Sequence, residues 1–85
     1  MTILITLPEH TKTEGFKFQW EDGFTIKVEN EKDCIEISAN KQGLISLAQQ
    51  LLYLAQDSFP PGYHLHYDSG NSLEDGSKEL VVSKF

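Results

Sequence analysis

The feature that most constrains this chain is one amphipathic stretch, residues 40–57. Leu44, Leu47, Ala48, Leu51, Leu52 and Ala55 recur at helical spacing. At about 100° per residue, Ile45 and Leu54 widen that apolar arc to roughly 180°. Asn40 precedes it and is suited to accept hydrogen bonds from the first free amides of a helix. Pro60-Pro61-Gly62 prevents continuation, and Phe59 is placed to fold back against the helix. Such an arc is expected to pack on a sheet, leaving Ser46, Gln49, Gln50, Tyr53 and Gln56 outside. That outer strip is unusual because its one charge, Asp57, lies at its end, where exposed helices normally carry Lys and Glu. An uncharged strip with a central tyrosine fits a contact surface. The alternatives are chance composition or a strip covered by the N-terminal loop.

The sheet is read from period-two patterns. Residues 2–7 form a candidate strand, with Ile3, Ile5 and Leu7 on one face, ended by Pro8. Residues 9–15 are polar and expected as a loop. Phe16, Phe18 and Trp20 alternate with polar neighbours, as do Phe24, Ile26 and Val28. A loop of Glu21-Asp22-Gly23 pairs Trp20 with Phe24 and keeps both apolar sets on one face, with Gly23 supplying the positive φ. The next strand, residues 33–39, is expected to pair Val28 with Ile35 and Ile26 with Ile37, leaving Cys34, Glu36 and Ser38 on the other side. After the helix, residues 63–68 and 78–84 read as a closing strand pair around the polar loop 69–77. The expectation is therefore a single α+β domain over residues 1–85. It would be an antiparallel sheet of about five to six strands with one helix on one face, in the order β-β-β-β-α-β-β.

Charge narrows the partners. Thirteen acidic residues stand against seven lysines and no arginine, for a net charge of −6. Nucleic-acid binding depends on cations that displace counterions from phosphates, so that class is disfavoured. An acidic surface can steer a basic partner, or it can serve solubility alone. Cys34 is the single cysteine, which excludes an internal disulfide framework and fits a reducing compartment. With no basic residue adjacent to lower its pKa, it is read as structural. The run Ile3-Leu4-Ile5 is too short for a membrane span and has no basic leader. The expected location is the cytoplasm, with no membrane partner.

His64, His66 and Asp68 share one side of a strand, about 7 Å apart along it. Two imidazoles and a carboxylate are a zinc-ligand set, with His10 or Glu79 as further candidates. A structural zinc site needs four defined ligands, however, so a polar contact face is the preferred reading and no metal or cofactor is expected. The carboxylate pairs Glu21-Asp22 and Glu74-Asp75 fall in turns, where acids are common and hydrated. The chain has no glycine-rich phosphate loop, nucleophile elbow or recognisable Ser/His/Asp arrangement. A binding protein is favoured over an enzyme, with catalytic residues none.

From Asn40 onward the chain resembles a known family. The segments that carry the likeness are Gly43-Leu44-Ile45-Ser46-Leu47-Ala48 at the helix start, then Pro61-Gly62-Tyr63-His64-Leu65-His66-Tyr67-Asp68, then Leu73-Glu74-Asp75-Gly76-Ser77 before an apolar closing strand. They are similar to the immunity protein 32 family, predicted to protect bacteria from toxins of polymorphic and contact-dependent systems. The resemblance implies a non-enzymatic immunity protein whose partner is a cognate toxin, and it carries no catalytic or toxin-contact residue onto this sequence. From the residues themselves, the candidate protein-binding positions are His64, His66, Asp68, Glu74 and Asp75, with Gln49 and Tyr53 on the helix strip. Two alternatives stay open: a small metal-binding or hydrolytic protein using His64, His66 and Asp68, and a self-associating module, such as a homodimer, using the helix strip.

Overall fold

The computed structural model describes residues 1–8 and 15–85. Most of the expected loop at residues 9–15 and the candidate ligand His10 therefore lie outside the described residues. The elements are β1 (Ile26–Glu31), β2 (Cys34–Ala39), α1 (Lys41–Leu54), β3 (His64–Tyr67) and β4 (Leu80–Ser83). The class is α+β, but the single sheet of five to six strands is not what forms. Two separate two-stranded antiparallel sheets do, β1 with β2 and β3 with β4, in the order β-β-α-β-β. Neither residues 2–7 nor residues 16–20 are strands.

The reason lies at the free edge of β1. Ile26 O accepts from Glu74 N and Val28 O accepts from Lys78 N, both at 2.8 Å. Val28 N donates to Ser77 Oγ at 3.1 Å. The loop between the third and fourth strands thus fills the hydrogen-bonding edge that residues 16–20 would have needed. A strand has only two edges, and β2 holds the other.

The β1–β2 register also differs from expectation. Ile26 pairs with Ala39 and Val28 with Ile37, two residues beyond the expected pairing. Lys32 takes a left-handed φ of 50°, so the chain reverses at Lys32-Asp33 and adds a rung at Glu31 and Cys34. A shift by an even number preserves the faces. Cys34 therefore still stands beside Glu36 and Ser38, and it is exposed.

Asn40 ties the helix to the start of β1. Its Oδ1 accepts from Gly43 N at 2.8 Å and from Thr25 N at 3.0 Å, and its Nδ2 donates to Gly23 O at 2.9 Å. One side chain thus caps the helix and holds the neighbouring chain. Gly43 lets the two approach: a Cβ there would run into Thr25 O and lie 2.9 Å from Ile26 Cγ1. Beyond Leu54 the chain turns, and Phe59 folds into the core at 1% exposure. No helix among the described residues is long and apolar enough to cross a membrane.

The largest correction concerns the rotation of α1. Its buried positions are Gly43, Ser46, Gln50, Tyr53 and Leu54. Leu44, Ala48, Leu51, Leu52 and Ala55, from the expected core arc, are exposed. Leu47 alone of that repeating set packs against the core. The polar strip faces inward where, among the described residues, the segment opposite it is not part of a ladder. Ser46 Oγ accepts from Glu21 N at 2.9 Å, and Gln50 Nε2 donates to Gln19 O at 2.9 Å. Backbone groups partly covered by the helix and outside a ladder are satisfied by such side-chain partners.

The core joins both sheets, with Ile26 and Val28 from β1, Leu65 and Tyr67 from β3, and Phe59 and Leu73 from the connections. Aromatic rings line one side of it. Phe16 lies 4.7 Å from Phe18, Phe18 stacks on Trp20 at 6.2 Å, and Trp20 stacks on Phe24 at 4.3 Å between ring centroids. Stacking of side chains thus orders residues 16–24 where a ladder does not.

Candidate functional site

Alternation along β3 sends Leu65 and Tyr67 inward and leaves His64 and His66 outward. β4 pairs with it as His64↔Ser83 and His66↔Val81. The two imidazoles meet edge to face, 4.9 Å between centroids. His64 Nδ1 is 3.0 Å from Gly62 O, a carbonyl to which the protonated nitrogen would donate. His66 Nδ1 lies 3.5 Å from Glu79 Oε2, and both side chains are about half exposed.

Asp68, just beyond β3, serves the turn that follows. Its Oδ1 accepts from Gly70 N at 2.8 Å, and its carbonyl accepts from Ser72 N and Leu73 N at 3.0 and 2.9 Å. Among the described residues no three His, Cys, Asp or Glu side chains are grouped to hold a metal ion. The carboxylate that sequence spacing offered as a third ligand is turned to the backbone amide of Gly70.

The turn builds a pocket beside His66. Asn71 Nδ2 donates to His66 O at 3.2 Å, while Asn71 Oδ1 accepts from Asp68 N at 3.1 Å. This brackets the end of β3 and places Asn71 and Ser72 opposite Phe18 and Trp20. The result is a cavity of about 140 Å³ lined by Phe18, Trp20, His66, Asn71 and Ser72. Phe18 and Trp20 are nearly parallel, at 4°, and Tyr67 meets both edge-on at 6.0 and 6.2 Å. Burial pushes the Tyr67 hydroxyl up to about 12, and that hydroxyl donates to Gln50 Oε1 at 2.7 Å. The pocket therefore has an aromatic wall of Phe18 and Trp20 backed by Tyr67, with His66, Asn71 and Ser72 as its polar lining.

Of the sequence-derived candidates, His64 and His66 come together here, while Asp68 follows them on the chain with its carboxylate on Gly70 N. Glu74 and Asp75 are exposed on the loop that leaves the pocket at Ser72 and docks on β1. Gln49 and Tyr53 do not join them. Gln49 Nε2 donates to Glu21 Oε1 at 3.1 Å on the flank of the helix. Tyr53 is buried against Phe16 and Phe59, at 4.7 and 5.1 Å, so it is not presented to a partner. Phe18, Trp20, Asn71 and Ser72 were not legible as pocket residues. Phe18 and Trp20 read as a strand's core face, and nothing local signals that residues 71–72 return to them.

No curated protein and no solved structure matches this chain. The sequence pattern of the family described as Immunity protein 32 matches residues 35–84, which takes in almost all of β2, the helix, the pocket turn and both strands of the second sheet. With more than half of its 85 residues matched, and with the histidine strand inside the matched region, the chain belongs to the Immunity protein 32 family.

Proposed function

We propose that this chain is a non-enzymatic immunity protein that binds one cognate toxin in the cytoplasm and neutralises it, using the outward face of β3 and the pocket beside it. Family membership carries this reading. The geometry supports the choice of face. A pocket with an aromatic wall suits a single anchoring side chain, and interface energy concentrates in such anchors. Glu74 and Asp75 on the adjoining loop, with Glu79 beside His66, make its surroundings acidic. A chain of net charge −6 would attract a basic toxin and speed the encounter.

The test is co-expression with each toxin candidate encoded beside the gene. Rescue of growth by the wild type, and its loss in a Trp20→Ala, His66→Ala variant that still folds, is the expected result. Failure to rescue from every neighbouring candidate would overturn the function. Rescue that survives the double substitution would overturn the choice of face.

A further inference from the structure

Among the described residues, the outward face of α1 gathers several exposed large apolar side chains. Leu44, Leu51 and Leu52 remain 56%, 45% and 50% exposed. Ile35 and Ile37 on β2, which contacts α1, are 67% and 43% exposed. Together these side chains expose apolar surface on the order of 500 Å² per copy, at the upper end of what a monomer usually carries.

Two features of this face select its occupant. First, it is uncharged: from Gln42 to Gln56 the helix region holds no Asp, Glu, Lys or Arg. It therefore offers nothing to a basic partner, yet it is where two chains of net charge −6 could meet without opposing like charges. Second, its spacing is symmetric. Leu44, Ala48, Leu51 and Ala55 are separated by four, three and four residues. An antiparallel copy related by a two-fold axis between Ala48 and Leu51 sets Leu44 opposite Ala55 and Ala48 opposite Leu51. Each large side chain then faces a small one, the arrangement that interdigitates helices. Two copies would bury on the order of 1,000 Å², about the least that a specific interface needs.

We propose that two copies of this chain pair through the outer face of α1, antiparallel about that axis, with Ile35 and Ile37 at the margin. The contact is isologous: each copy supplies the same patch. It lies on a different element from the pocket at His66 and stands whether or not that pocket binds a toxin.

Sedimentation of the purified chain tests this directly. The wild type is expected at the dimer mass and Leu51→Glu at the monomer mass, with dimerisation weakened at least about tenfold and the helical circular dichroism retained. A second measurement does not depend on that variant folding. Ala48→Cys and Leu51→Cys, each made with Cys34→Ser, are mixed and oxidised. The mixed disulfide should exceed its random proportion over the two self-pairs. A wild type that sediments as a monomer up to about 100 μM, a folded Leu51→Glu variant that stays dimeric, or a mixed disulfide at or below the random proportion would each overturn the pairing.

Discussion

The two long faces of α1 hold the reverse of what their composition suggests. The inner face carries Ser46 and Gln50, both essentially fully buried, while the outer face carries Leu44, Leu51 and Leu52 about half exposed. Leaving an aliphatic side chain half in water forfeits on the order of 1 kcal/mol. An unpaired buried amide or carbonyl costs about 1–3 kcal/mol. The inner face confronts residues 19–21, whose backbone joins no ladder among the described residues, and Ser46 and Gln50 supply the missing partners. A helix therefore need not bury its most apolar side when the chain it packs against requires hydrogen bonds.

The comparison breaks most easily at Gln50. Its Nε2 donates to Gln19 O and its Oε1 accepts from Tyr67 Oη, so both ends of the amide are used inside the protein. Gln50→Ala would leave a buried hydroxyl and a part-buried carbonyl unpaired and open a small cavity. The expected loss is about 3 kcal/mol in urea unfolding, the same at every protein concentration. A loss below about 0.5 kcal/mol, the range of ordinary surface changes, would mean that this face is not the inner one.

Tyr67 sharpens the same point through pH. Its hydroxyl is raised from 10.0 to about 12 by burial, so the folded state holds the proton more tightly than the unfolded chain. The associated stability is fully present below pH 10 and is lost as pH rises through about 12. Urea midpoints measured between neutral pH and the upper end of that window should fall for the wild type. In Tyr67→Phe the fall should be much smaller, from a somewhat lower starting stability. Parallel curves for the two proteins would place the hydroxyl in water.

Much of this fold was legible, and the failures share one cause. Asn40 as the cap, the turn at Gly23, the return of Phe59 and the inward and outward faces of β3 all depend on residues a few positions apart. Local chemistry decides them. The edge denied to residues 16–20 is filled by residues 74–78, a contact some fifty positions away in sequence, and the helix rotation and the pocket likewise rest on partners distant along the chain. Periodicity cannot reveal that an edge is already filled. Phe16, Phe18 and Trp20 keep the alternation of a strand because their rings still line one side, although among the described residues their backbone joins no sheet. At the site, the histidines could be read from alternation, whereas the aromatic wall that makes a pocket of them required the tertiary path.

The smallest effect belongs to the outer face, and its form matters more than its size. Leu52 is half exposed beside the symmetric stripe, so Leu52→Ser removes little from the core of a single copy. At high dilution the expected loss in urea unfolding is about 1 kcal/mol, the worth of the buried half of the side chain. At high concentration the wild type gains stability from pairing and the variant gains less, because association stabilises by mass action. The difference between the two proteins should therefore grow as the protein is concentrated, whereas the Gln50→Ala difference stays fixed. A Leu52→Ser loss of about 2 kcal/mol or more that persists on dilution is the signature of a buried leucine. It would return the helix to the rotation that its hydrophobic pattern first implies.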